Sequence, residues 1–130
     1  MVSRLSDDER NAFLPALQDS GWRVLSEPDR LQKIWKFSGF ADAWSFMSHA
    51  ALCAEKMDHH PDWSNCYNTV DVTLSTHSCE GLSILDIELA RAFDATPIPG
   101  KVIRPAGQAA APDTQPGNSD APDLSDDFLD

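Results

Sequence analysis

The chain has 130 residues, 42% of them hydrophobic, and a formal net charge of −11. That size and apolar content hold one domain with one real core and exclude wholesale disorder. Residues 106–130 hold six aspartates and no lysine or arginine, leaving ten basic and fifteen acidic residues before them; with no basic surface to track phosphates, direct nucleic-acid binding is excluded as an expectation.

The first ten residues are polar and acidic, without an apolar export region, and no apolar run approaches the roughly 20 residues that span a bilayer. Cys53, Cys66 and Cys79 form neither a C-x-x-C pair nor a dense framework. They fit reduced thiols, so a cytoplasmic location is expected.

In chain order, Ser6 and Glu9 form a capping box. It opens a helix over Asp7–Asp19 that buries Phe13, Leu14 and Leu17. Pro15 is expected to kink or interrupt it, and Gly21 to stop it. Trp22–Leu25 reads as a short strand, residues 27–30 as a turn around Pro28, and Leu31–Phe37 as an alternating second strand. The two form a hairpin. Phe40, Ala43, Trp44, Met47, Ala50, Ala51 and Ala54 recur at helical spacing and predict a long helix over Phe40–Met57 with a broad buried stripe. Pro61 stops it and pushes His60 toward extended geometry. His59 and His60 therefore lie just past a helix C-terminus, where partial negative charge favours imidazolium.

Trp63–Tyr67 predicts a third strand, Asn68-Thr69 a turn, and Val70–His77 a fourth strand. Val70, Val72, Leu74 and Thr76 share one face of that strand, which keeps His77 off it. Ser83 and Asp86 form another capping pattern, opening a last helix to about Phe93 that buries Leu85, Leu89 and Phe93. The expected fold is α+β: a four-stranded antiparallel sheet with three helices on one face, in the order α-β-β-α-β-β-α. Residues 1–104 are read as the domain and 105–130 as an acidic tail rich in Pro, Ala and Asp, expected to be disordered. An open face and open edges predict a homo-oligomer.

Three of the four histidines fall in His59-His60-Pro61 and at His77. Groups that titrate near neutral pH around one substrate are what acid–base chemistry requires. Glu55 stands one turn before His59, at i to i+4, and is expected to fix its ring. Asp86 is divided between closing the cap on Ser83 and orienting His77. His49 is set aside as a helix-end histidine capping orphan carbonyls, and Cys79 as a neutral thiol. A zinc set of His59, His60, His77 and Cys79 fits ligand spacings poorly, so no metal is expected. No glycine-rich phosphate loop and no G-x-S-x-G occurs.

These residues resemble the pterin-4a-carbinolamine dehydratase family. The family pattern is an acidic residue, three positions, His-His-Pro, an aromatic, a His and an Asp. It stands here as Glu55, His59-His60-Pro61, Tyr67, His77 and Asp86, within a likeness over about residues 4–94. The resemblance implies a hydro-lyase: loss of water from 4a-hydroxytetrahydropterin gives quinonoid dihydropterin and recycles the cofactor of aromatic amino acid hydroxylases. It implies no metal and no cofactor, homo-oligomers as dimer or tetramer, and His59, His60 and His77 as acid–base groups supported by Glu55 and Asp86. His59, His60, Pro61, Thr76, His77, Ser78 and Cys79 would contact the pterin. The rival reading is a non-catalytic pterin-binding or protein-partner module, since some animal relatives dimerise a homeodomain transcription factor. Ile84 and Leu85 stand where relatives often carry charged residues and are expected to lie away from the motif.

Overall fold

The computed structural model describes residues 2–97 and the backbone of residues 104–105. Of the expected tail, residues 105–130, the backbone of Pro105 is described and the remainder lies outside the described residues. Helix α1 spans Asp7–Asp19. The Glu9 amide donates to Ser6 Oγ, and the Ser6 amide donates to Glu9 Oε1, closing the box. Pro15 does not interrupt the helix. Asn11 and Pro15 are both exposed, so water can take the carbonyl that proline leaves without a donor. Gly21 follows at φ 109°, a backbone angle that side chains resist.

Strands β1 (Arg23–Leu25) and β2 (Arg30–Lys36) form the first hairpin. Strands β3 (Asp62–Cys66) and β4 (Thr69–Leu74) form the second. All neighbours are antiparallel, in the order β1-β2-β4-β3. A two-residue strand, β5 (Arg104–Pro105), pairs with β2 at Trp35 and Lys36. The second hairpin turns at Tyr67-Asn68, one residue earlier than expected, with Tyr67 at φ 53°. Alternation holds in β2: Leu31, Lys33 and Trp35 point into the core. Lys33 is buried there because its ammonium donates to the Ser20 carbonyl (2.6 Å) and to Asp94 Oδ1 (2.7 Å), and lies 4.8 Å from the Trp35 ring.

Helix α2 spans Phe40–Met57 and α3 spans Ile84–Asp94. They pack with α1 over one face of the sheet. The buried stripe of α2 is Ala43, Phe46, Ala50 and Ala54. Phe40, Trp44 and Ala51, expected inside, are exposed. The helix is apolar on two faces, and the small alanines are what let it approach α3 and β4 closely. Phe46 fills the centre, with ring centroids 4.7 Å from Trp35 and 6.2 Å from Phe93. In α3 the inward residues are Ile87, Leu89, Ala90 and Phe93, while Leu85 is only half-buried.

Candidate active site

The site forms where two chain reversals meet. The first ends α2. Asp58 adopts a left-handed conformation (φ 52°, ψ 42°). The Asp58 amide then donates to the Glu55 carbonyl, and the His59 amide to the Ala54 carbonyl, both at 3.1 Å. This pair of bonds is a Schellman motif, which satisfies the last carbonyls of the helix. It also swings His59 inward and leaves His60 facing out.

The second reversal follows β4. The strand ends at Leu74, and His77–Cys79 form a single 3-10 turn rather than more strand. Thr76 and Gly81 close its base: the Thr76 amide donates to the Gly81 carbonyl at 2.8 Å, and the Gly81 amide to the Thr76 carbonyl at 3.2 Å. His77 is therefore lifted on an exposed loop.

Between them lies a cleft of about 420 Å³, lined by Val2, Asp58 to Asp62, Ser75 to Ser78 and Leu85. The volume is that of a small-molecule pocket. His59, His60, Pro61, Thr76, His77 and Ser78 all line it. Cys79 and Glu55 are not among the lining residues. The Cys79 thiol turns back toward the carbonyls of Thr76 and Gly81. Leu85, expected away from the motif, lies in the cleft wall.

The carboxylates pair differently from the expectation. Glu55 meets His60, not His59: Oε1 lies 2.9 Å from His60 Nε2, at i to i+5 and exposed on both sides. The left-handed Asp58 breaks the helical spacing, so the i to i+4 rule no longer applies. Asp86 meets His59, not His77, with Oδ1 2.7 Å from His59 Nε2. Asp86 is completely buried. Its Oδ2 accepts from the Thr76 hydroxyl (2.7 Å) and from the Ser83 amide (3.0 Å). Because the single Thr76 proton goes to Asp86, the Ser83 hydroxyl must donate to Thr76 across their 2.7 Å contact. The Ser83 oxygen in turn accepts from the Leu85 amide. Asp86 is thus both things the sequence left open: it closes the cap of α3 and it orients a histidine. As a carboxylate it accepts the Nε2 proton of His59, which fixes the tautomer and leaves Nδ1 as the ring's acceptor nitrogen.

A further set of residues, not singled out in the sequence, braces the His77 loop from behind. Arg4 Nε donates to the Cys79 carbonyl (2.8 Å) and Nη2 to the Glu80 carbonyl (2.6 Å). Asp29 receives both Arg10 nitrogens, at 3.0 and 3.1 Å, and the Leu82 amide at 3.1 Å. Burial alone would push the Asp29 carboxyl up. The bonds from Arg10 and Leu82, with the charges of Arg10 and Arg4, outweigh it and hold the group below its ordinary value. The Arg10 guanidinium is correspondingly raised by that bond. No local sequence signal marks these residues, since their partners lie far along the chain.

Among the described residues, no three His, Cys, Asp or Glu side chains are placed to hold a metal. No described helix is long and apolar enough to cross a membrane. What the fold and cleft define is a small α+β domain whose cleft is built on a buried carboxylate–imidazole couple and two exposed histidines.

Known proteins agree on the lineage. The profile of the family described as pterin 4 alpha carbinolamine dehydratase matches residues 3–96, and the chain belongs to that family. A Dinoroseobacter shibae protein named for the same family is 47% identical over 94 residues, covering 72% of this chain and 97% of the relative. The pterin-4-alpha-carbinolamine dehydratase of Drosophila melanogaster is 48% identical over 96 residues, covering 74% of this chain and 50% of that protein. Among solved structures, a transcriptional coactivator/pterin dehydratase from Brucella melitensis superposes with a TM-score of 0.67 at 47% identity, covering 72% and 98% of the two chains. A pterin dehydratase-like protein identified as a RuBisCO assembly factor in the alpha-carboxysome gives a TM-score of 0.53 at 25% identity, covering 58% and 88%.

Proposed function

We propose that this protein is a hydro-lyase that dehydrates 4a-hydroxytetrahydropterin to quinonoid dihydropterin by histidine acid–base catalysis. The observation that carries the reading is the buried Asp86–His59 couple opening on a cleft rimmed by His60 and His77. The reaction breaks the C4a–O bond. One proton goes to the departing hydroxyl, and one leaves a ring nitrogen whose electron pair forms the new C=N bond. His59, with Nε2 engaged by Asp86 and Nδ1 bare, is arranged as the base. His60 and His77 stand at the exposed rim, where a proton can reach the hydroxyl that leaves as water. Glu55 holds His60. Thr76 acts through Asp86 rather than on the pterin. Pro61 and Ser78 line the walls.

The activity would recycle the cofactor of an aromatic amino acid hydroxylase. The three free thiols support action in the cytoplasm. The exposed side chains of Phe40, Trp44, Leu52 and Tyr67 support self-association as a homo-oligomer. Residues 105–130 are proposed to be an appendage that the reaction does not need.

A second reading is favoured by one observation: one relative with this fold is described as a transcriptional coactivator/pterin dehydratase, and another as a pterin dehydratase-like RuBisCO assembly factor. In that case the chain is a pterin-binding or protein-partner module. Generating the carbinolamine with a hydroxylase and following its decay separates the two. Acceleration by the wild-type protein supports the enzyme; pterin binding without acceleration supports the module.

A further inference from the structure

We propose that Arg4 and Asp29 are positioning residues for the loop that carries His77, a role that rests on the dehydratase reading. His77 lies beyond the end of β4, so no sheet ladder holds it. A proton-transfer group on an exposed four-residue loop needs some other restraint, because small misplacements cost large factors in rate. Three residues supply it, Asp29, Arg10 and Arg4. Asp29 holds the loop at both ends: its carbonyl accepts from Ser75 Oγ at the entry (3.3 Å), and its carboxylate accepts from the Leu82 amide at the exit (3.1 Å). Arg10 fixes that carboxylate through two nitrogens. Arg4 takes the Cys79 and Glu80 carbonyls, the orphan acceptors at the end of the 3-10 turn.

The N-terminal arm is itself anchored alongside, since the Leu5 amide donates to the Leu82 carbonyl at 2.9 Å. Arg4 and Asp29 converge so closely on Gly81 that a Cβ there would lie 3.1 Å from Arg4 Nε and 3.0 Å from Asp29 Oδ2. A planar guanidinium suits the task because one fork spans two successive carbonyls, which an ammonium cannot match. The arrangement reaches the cleft, for Val2, two residues before Arg4, lines its wall.

The experiment compares wild type, Arg4→Ala, Arg4→Lys and Asp29→Asn for carbinolamine dehydration and for hydrogen exchange of the amides of residues 76–82. Arg4→Ala should lower kcat about tenfold, with a smaller change in KM, and speed loop exchange about tenfold while exchange in β2 and β4 is unchanged. Arg4→Lys should recover part of both. Asp29→Asn should speed exchange at Leu82. Arg4 is exposed at the edge of the fold, so its variants remain folded even if Asp29→Asn does not. Unchanged loop exchange in Arg4→Ala, or faster exchange with kcat within twofold of an active wild type, overturns the proposal. A wild type that does not accelerate dehydration refutes the dehydratase reading instead, and with it the positioning role.

Discussion

Replacing Asp86 by Asn tests the couple at the heart of the site with almost no change in shape. Asp86 is fully buried and takes three hydrogen bonds, from Thr76, Ser83 and His59. An asparagine amide has one oxygen. Set toward Thr76 and the Ser83 amide, that oxygen keeps two of the three bonds. The amide nitrogen then faces His59 Nε2 as a donor, so the ring must surrender its Nε2 proton and carry it on Nδ1. The nitrogen arranged to accept a proton from the pterin is blocked. Exchanging one charge-assisted buried bond for a neutral one costs roughly 1 kcal/mol, and each kcal/mol lowers the melting temperature by about 4–8 °C in a domain of this size. Loss of the base is the larger effect, about 10²–10⁴-fold in kcat. Asp86→Ala, which strands all three donors, should cost about 3–5 kcal/mol. The assays are carbinolamine dehydration, thermal unfolding and the ¹⁵N shifts of the His59 ring. A folded Asp86→Asn protein with kcat within threefold of wild type, or with the tautomer unchanged, would refute the reasoning.

Other outcomes follow from the same geometry. His60→Ala and His77→Ala should each lose about 10²-fold in turnover with unfolding curves near wild type, because both side chains are exposed and neither supports the core. The depressed Asp29 carboxyl binds fewer protons in the folded state than in the unfolded chain. Its contribution is therefore present above the unfolded pKa, about 3.9, and is lost as pH falls through the lower folded value. Denaturant titrations from pH 6 down to 2.5 should show this loss in wild type and a shallower one in Asp29→Asn. Deleting residues 106–130 should leave kcat and KM within twofold of the full chain; a larger fall would show that the tail takes part.

The parts of the fold written in local chemistry were legible. Both capping boxes form as Ser6 with Glu9 and Ser83 with Asp86 predict, since each is a four-residue device. The alternation of β2 places even Lys33 correctly inside. The histidine pair falls just past the end of α2, as Pro61 indicates. What was not legible depends on single backbone reversals or on distant partners. The left-handed Asp58 turns His59 inward to Asp86 and leaves His60 to Glu55, because a rule for helical spacing says nothing once the helix has ended. The fourth strand ends three residues earlier than expected, at Leu74, and His77 opens a 3-10 turn instead. Helix α2 has apolar residues on two faces, so periodicity found a stripe but could not tell which one met the sheet; Phe46 was missed and Phe40 and Trp44 were misplaced. Arg4 and Asp29 act through bonds to residues 46 or more positions away, beyond any local pattern.

The most direct test of the central claim is the rate of carbinolamine dehydration by wild type and by His59→Ala at equal pterin occupancy. The account predicts clear acceleration by wild type over the uncatalysed reaction and a loss of about 10²-fold or more in the variant. Equal rates for the two proteins would contradict it.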